Sequence, residues 1–300
     1  MIWEDGLKAP AFDYVRVRSL DEALGLLRQH GDEAKIIAGG QSLVPALNLR
    51  LLAPSLLIDI GGLAELRGVS VTGDRVRIGA LTRHVDLERS REIAASVPLF
   101  KQAIAHVAHP AIRNRGTVGG NLAHADPASE LPACALALEA RLLVATATGE
   151  RSVPAEDFFT GVYETALSPA EILTAIEVPA ARPGERSAFI ELARRSGDYA
   201  LVGLAAKAVM QDGAFSDLRL AYFAVGAKPT LAAKAAAHVI GQPVTDAAVV
   251  EAQAALADDL APQDDLHASA ATRLHLARVL LRRVLEQLSP EAFTAERKRA

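Results

Sequence analysis

The chain has 300 residues, 50% of them hydrophobic and 23% charged, with 32 Lys+Arg against 36 Asp+Glu for a net charge of −4. That length accommodates about two domains, and the balanced charge argues against nucleic acid as the main partner. The single cysteine, Cys134, excludes an internal disulfide, a cysteine-based zinc site and an iron–sulfur cluster within this chain.

The opening Met1-Ile-Trp-Glu-Asp-Gly6 is acidic where a secretory leader would be basic and apolar, and no apolar run reaches the length of a membrane span. The expectation is a cytoplasmic protein without membrane insertion. Ser19 to Glu22 has the pattern of a capping box, and Leu20, Ala23, Leu24 and Leu27 follow at helical spacing until Gly31. Lys35–Ile37 and Leu56–Ile60 read as buried strands around a helix over Leu43–Leu52, which makes a small α/β unit. Val76 and Ile78 alternate with Arg75 and Arg77 in a strand running to Ala80. Helices are predicted over Arg83–Ala95 and Leu99–Val107, then a polar loop from His109 to Asp126, then a helix over Pro127–Glu139 with Asp126 as its N-cap. Leu142–Ala145 and Ile172–Val178 read as strands.

After the turn-rich segment 179–184, three strands are predicted over Ser187–Arg194, Leu201–Met210 and Leu218–Ala224, with a hairpin turn at Gln211–Gly213. The remainder is helical over 231–240, 244–257 and 268–288. In the last helix Leu274, Ala277, Leu281 and Val284 form the apolar stripe. Arg273, Arg278, Arg282 and Arg283 lie off it, on a solvated or docking face, and Arg297-Lys298-Arg299 reads as a frayed end.

No two glycines stand two residues apart, so the G-x-G-x-x-G dinucleotide fingerprint is absent. Gly68 and Gly73 have P-loop spacing, but Asp74 follows instead of lysine. Three other stretches could carry chemistry. Ala38-Gly39-Gly40-Gln41-Ser42 lies between a strand and a helix, where paired glycines let backbone N–H groups converge on a phosphate; a plain tight turn is the other reading. Arg113 to Asn121 combines glycines with two guanidiniums, a hydroxyl and two amides, which suits a diphosphate and a sugar; the other reading is an exposed loop. Ser129 and Glu130 just downstream could accept from polyol hydroxyls; the other reading is capping, with Asp126 as the N-cap, plus a solvated acid. His106, His109 and His124 with Asp126 can be drawn as a metal site, against a reading as hydrogen-bonding histidines. Cys134 lies on an apolar helix face as an inert thiol.

Ala38 to Leu43, Ile78 to His84 and Ile112 to Asn121 occur in one order with Ala125-Asp126-Pro127, Ile172-Leu173 through Pro179, and Arg194 to Ala200. Together they resemble the medium, FAD-binding subunit of molybdenum hydroxylases over about residues 5–290. The resemblance implies an α+β fold. A vanillyl-alcohol-oxidase (PCMH)-type FAD-binding domain would span 1–178 in two subdomains, about 1–60 and 61–178. A three-stranded antiparallel sheet with a helical bundle would follow over 185–290, then a tail over 291–300.

It further implies FAD, its diphosphate held by Ile37, Ala38, Gly39, Gly40, Gln41, Ser42 and Leu43 and by Thr117, Val118, Gly119, Gly120 and Asn121. His124, Ser129 and Glu130 fall where ribityl or diphosphate contacts are expected. Ile172 and Leu173 fall where apolar residues pack on the isoalloxazine ring, and Tyr199 where an aromatic lies near the flavin. Family members often carry a lysine eight residues before that aromatic; here the residue is Glu191, which would disfavour an anionic reduced flavin. Val107 replaces an aromatic that stacks on adenine in some relatives. The partners implied are a large subunit with the molybdenum cofactor and a small subunit with two 2Fe–2S clusters, in a heterotrimer or its dimer. Electrons would pass from the clusters to FAD and on to an acceptor, and the sequence offers no proton donor for that step. The competing readings are a stand-alone FAD oxidase, an assembly module that has lost its flavin, and a His/Asp metal hydrolase.

Overall fold

The computed structural model describes residues 8–297; the Met1–Gly6 opening and Lys298-Arg299 lie outside the described residues. β1 (Asp13–Arg16), β2 (Ala34–Ile37) and β3 (Leu56–Asp59) form a parallel sheet in the order β1-β3-β2. Parallel neighbours need crossovers, and the helices Leu20–His30 and Leu43–Asn48 lie in the two connections. The first opens as the capping box predicts. Ser19 accepts from the Glu22 N–H, and the Glu22 carboxylate accepts from the Arg18 N–H, one residue earlier than in the ideal box. It closes at Gly31 with φ 53°. The second helix ends at Asn48 rather than Leu52, because Arg50 takes a left-handed φ of 54°.

The second sheet is built from β4 (Val69–Thr72), β5 (Arg75–Gly79), β6 (Arg141–Thr146) and β7 (Gly149–Pro154). A small hairpin, β8 (Phe159–Gly161) and β9 (Glu164–Thr165), precedes its central strand β10 (Ile172–Pro179). The order is β4-β5-β10-β6-β7, antiparallel throughout. The helix expected over Arg83–Ala95 is two helices, His84–Arg89 and Arg91–Ser96. Ser90 turns extended between them and caps the second by accepting from the Ile93 N–H. The segment 109–126, expected to be a loop, folds into the short helices Pro110–Arg113 and Val118–His124. Its glycines and asparagines mask this at the sequence level, because both are poor helix formers. The next helix starts at Glu130, not Pro127. Asp126 therefore does not cap it; its Oδ1 accepts from the Ala128 N–H at 2.9 Å and caps the preceding turn.

β11 (Glu185–Ala193), β12 (Ala200–Gln211) and β13 (Ala214–Phe223) are the three predicted strands. Asp212 and Gly213, at φ 52° and 82°, make the tight turn between the last two. β14 (Thr230–Leu231) adds a short fourth strand, two residues that carry no alternation to read. This sheet is buried on both faces. Val202, Leu204, Leu220 and Tyr222 point into a core with the helices Ala233–Ala237, Asp246–Asp259 and Ala270–Leu288. Ala205, Ala221 and Phe223 join the core of the second sheet. Gly203 makes this join close: a Cβ on it would fall 1.9 Å from the Phe223 ring.

One expectation for the C-terminal helices is corrected. Arg273 is not on a solvated or docking face but 6% exposed, donating to the carbonyls of Leu201 and Ala224 and pairing with Asp265. Those carbonyls lie where β12 begins and β13 has just ended, and one guanidinium satisfies both. The helix Pro290–Arg297 follows, with Phe293 4% exposed in the core; of the Arg297-Lys298-Arg299 end, Lys298 and Arg299 lie outside the described residues. Among the described residues no helix is long and apolar enough to cross a membrane.

Candidate functional site

The site is a cleft of about 670 Å³ between the first parallel sheet and the turn that precedes the helix Val118–His124. Its first wall is the turn after β2. Gly40 has φ 72°, a conformation that glycine adopts without strain, and Gln41 folds back to donate to the Gly39 carbonyl at 3.1 Å. Among the described residues, the N–H groups of Gly39, Gly40, Gln41 and Ser42 meet no protein acceptor. Four successive N–H groups here are free to donate to a ligand. Ile37, Ala38, Gly39, Gly40 and Gln41 line the cleft as expected. Ser42 and Leu43 do not; Val44 and Pro45 do.

The opposite wall departs from expectation. Thr117 is an N-cap whose Oγ1 accepts from the Gly120 N–H at 3.1 Å. The Val118 and Gly119 N–H groups donate to the carbonyls of Thr82 and Ala80 at 2.9 and 2.8 Å, and that of Asn121 donates to the Thr117 carbonyl. These amides are spent on the fold, so this wall offers no second row of free donors. Thr117 lines the cleft and keeps its hydroxyl proton to donate. Gly119 is a packing residue: a Cβ there would fall 2.4 Å from Ala80 Cβ. Gly120 is exposed, and a Cβ there would meet the Thr117 hydroxyl at 2.7 Å. Gly39 packs against the Arg115–Gly116 backbone and brings the walls together.

The cleft's charge comes from Arg16, Arg67, Arg83 and Arg115, against a single lining acid, Asp59. Asp59 is committed within the fold, accepting from the Gly61 N–H at 2.7 Å and from the Tyr14 hydroxyl. Of these arginines Arg115 stands in a glycine-rich loop and Arg83 in the Ile78–His84 motif, where the sequence reading assigned it no role, while Arg16 and Arg67 sit in ordinary amphipathic stretches. Arg113 is corrected: 9% exposed, it clamps Glu88 at 3.0 Å and the carbonyls of Val107 and Ala108, and does not line the cleft. Beneath the turn, His84 is 3% exposed with both ring nitrogens unpartnered, and burial pulls its pKa down to about 4.

Downstream, Ser129 donates to Asn121 Oδ1 at 2.9 Å and ties the next helix to the cleft wall. Glu130 follows at 9% exposed; burial pushes its carboxyl up to about 8. Tyr199 and Tyr163 are 69% and 56% exposed, and the Tyr163 hydroxyl donates to Asp126 Oδ2 at 3.4 Å. His124 tilts against Tyr163 with ring centroids 4.9 Å apart. Ile172 and Leu173 are buried at the edge of β10, Ile172 in the core of the first sheet and Leu173 in that of the second. The metal-site reading is overturned. Among the described residues no group of three or more His, Cys, Asp or Glu could hold a metal ion. His106 pairs with Glu191, and the His109 ring packs under Gly197. Cys134 is buried and free.

A row of free backbone donors in a cleft lined by four arginines, of which Arg16 pairs with Asp59 and Arg67 donates to the Gly61 carbonyl, fits a phosphate-bearing ligand of dinucleotide size. The comparisons with known proteins agree. Residues 10–181 match the FAD binding domain in molybdopterin dehydrogenase, and residues 187–288 match the CO dehydrogenase flavoprotein C-terminal domain. The 6-hydroxypseudooxynicotine dehydrogenase complex subunit alpha of Paenarthrobacter nicotinovorans is 39% identical over 280 residues, 93% of this chain and 95% of that one. The carbon monoxide dehydrogenase medium chain of Hydrogenophaga pseudoflava is 37% identical over 276 residues, 92% of this chain and 96% of that one. A carbon monoxide dehydrogenase structure from Hydrogenophaga pseudoflava superposes with a TM-score of 0.92, covering 95% of this chain and 99% of that one. Quinoline 2-oxidoreductase from Pseudomonas putida 86 gives 0.90 at 38% identity, covering 95% and 99%.

Proposed function

The chain belongs to the FAD-binding subunits of molybdenum hydroxylases, a family of oxidoreductase subunits, and from that premise we propose that it carries electrons between partner subunits and an external acceptor. FAD lies in the cleft, its diphosphate on the Gly39–Ser42 amides and facing Arg83, Arg115 and the Thr117 hydroxyl. When bound, FAD supplies a two-electron acceptor that exchanges electrons singly with a metal cluster. The residues of this chain bind it, screen its charge and orient it. Those amides and the guanidiniums take the phosphates; Gly120, Asn121, His124, Ser129 and Glu130 follow the chain toward the ring; Tyr163 and Tyr199 offer exposed aromatic faces there. Ile172 and Leu173 back the site from within the two cores and touch the ring only where β10 ends.

The partners we propose are a large subunit with the molybdenum cofactor and a small subunit with two 2Fe–2S clusters, in a heterotrimer or its dimer. Relatives matched over nearly their whole length are named as subunits or medium chains of dehydrogenases and of a hydroxylase, which supports a complex over a stand-alone oxidase. The lone Cys134 also leaves this chain without ligands for clusters of its own. We place the FAD-binding domain at 1–178 and the C-terminal domain at 185–290.

The observation that carries the reading is the row of free N–H groups at Gly39–Ser42 opposite the arginines. Affinity purification of the tagged chain from its host tests it. A yellow complex that releases FAD on denaturation and contains a molybdenum subunit and an iron–sulfur subunit is the expected result. A colourless chain isolated alone overturns it.

A further inference from the structure

A second cleft, of about 430 Å³, opens at one end of the second sheet, and the function above leaves it without a use. It lies where β5 and β6 begin and β7 and β10 end. Arg75 and Arg141 open their strands, Pro154 and Pro179 close theirs, and all four line the cleft with Arg182 from the segment after β10. The register brings the first two arginines together. Arg75 pairs with Pro179 on one side of β10, and Glu177, two residues back, pairs with Arg141 on the other. Residues directly opposite in an antiparallel sheet share a face, as do residues two apart in one strand. Arg75 and Arg141 therefore stand on the same face, two strands across and two residues along, about 12 Å apart at Cα. Two arginine side chains reaching inward span such a gap.

The acids that line this cleft are already used. Glu139 accepts from Lys207 at 2.6 Å and pairs with Arg219 at 3.7 Å, and Glu156 accepts from Arg219. The arginines are not matched in this way. Arg141 gives its Nε to the Ser152 hydroxyl at 2.7 Å and keeps its two terminal nitrogens. Among the described residues Arg75 and Arg182 make no ion pair and no side-chain hydrogen bond; Arg182 acts on Glu139 and Glu185 only at longer range. Glu177 shares the sheet face but does not line the cleft. Guanidiniums are planar, permanently charged donors that match phosphate oxygens two at a time. Three of them around one cleft, with its acids neutralised from behind by β12 and β13, make a site for an anion. The volume exceeds that of a single phosphate and leaves room for an organic body over the two prolines.

We propose that this cleft is a second binding site, for a small phosphate-bearing molecule whose phosphate oxygens are held by Arg75, Arg141 and Arg182. It stands apart from the first cleft, since no residue lines both. Arg182 lies between the two matched domains, 10–181 and 187–288. The bound anion fastens that connecting segment to the starts of β5 and β6.

The test is isothermal titration calorimetry of the full chain with inorganic pyrophosphate and with ADP, at low ionic strength. Saturating FAD is present throughout, so that a chain that takes FAD has its first cleft filled. One-to-one binding of at least one probe is expected, weakened at least tenfold in Arg75→Gln and in Arg182→Gln, as for a lost hydrogen bond to a charged group. Both side chains are exposed and unpaired, so the variants should melt with the wild type. Pyrophosphate bound as tightly as ADP shows that the free anion suffices, and tighter ADP shows that the organic body is held too; either supports the site. No binding of either probe, or binding that either variant leaves unchanged, overturns the proposal. Arg115→Glu, in the first cleft, is the control: binding lost there and kept in the other two variants places the anion in the first cleft and also overturns it.

Discussion

Gly39 lies so close to Arg115 that a Cβ on the glycine would fall 2.4 Å from the Arg115 carbonyl oxygen. This contact joins the two walls of the cleft and brings the Gly39–Ser42 N–H groups to face the guanidiniums. Any side chain at 39 must push the walls apart, since the obstacle is backbone. Gly39→Ala should therefore weaken FAD binding at least tenfold and cost about 1–3 kcal/mol of stability through overpacking. Equilibrium FAD titration and chemical denaturation of the apo chain measure the two effects separately.

The paired glycines 119 and 120 should behave differently. Gly119 touches Ala80 and donates to its carbonyl, so Gly119→Val should unfold or strongly destabilise the chain whether or not FAD is present. Gly120 is exposed and its Cβ would displace only the Thr117 hydroxyl. Gly120→Val should thus keep most of the fold and lose FAD. Melting curves of the two apo variants decide this, and equal loss of stability in both would contradict the assignment.

His84 should make the fold acid-sensitive. Its pKa is near 4 in the folded chain, because of burial, and near 6.5 when exposed. The unfolded state therefore binds the proton first. This contribution to stability is complete above pH 6.5 and falls as pH drops toward 4, by about 3 kcal/mol in all. Since Gly116 packs on the His84 ring beneath Thr117, FAD release should accompany the loss. His84→Phe should flatten this part of the pH profile, as read from denaturant midpoints between pH 7 and 4.

Arg273 should be a stability residue. Arg273→Met leaves the Leu201 and Ala224 carbonyls without their donor and strands no buried charge, because Asp265 is about half exposed. A loss of about 2–3 kcal/mol is expected, with FAD affinity changed less than twofold. Denaturation and FAD titration of the same variant check both numbers.

Much of this was legible in the residues. The capping box at Ser19, the strands flanking Ala38–Ser42 and the three long C-terminal strands follow from periodicity and turn chemistry, and the N–H groups of the first glycine turn meet no backbone acceptor among the described residues. The second glycine turn was not legible. Its N–H groups bond to Ala80 and Thr82, some forty residues away in sequence, and no local pattern reports such a contact. Arg16, Arg67 and Arg83 were missed for the same reason, since three separate elements bring them to one cleft. Arg113 was read as part of a ligand-binding or exposed loop and Arg273 on a solvated or docking face, because arginine is usually exposed. Both are buried by carbonyls that need donors, a demand that exists only in the folded chain.

The central claim is that the Gly39–Ser42 amides and the facing arginines hold the diphosphate of FAD. The direct measurement is equilibrium binding of FAD and of FMN to the apo chain and to Arg115→Glu. The account predicts that FAD binds in a one-to-one ratio and at least a hundredfold more tightly than FMN, and that Arg115→Glu loses about tenfold to a hundredfold of FAD affinity, the range expected for a hydrogen bond to a charged group. FMN bound as tightly as FAD, or FAD affinity untouched by Arg115→Glu, would contradict it.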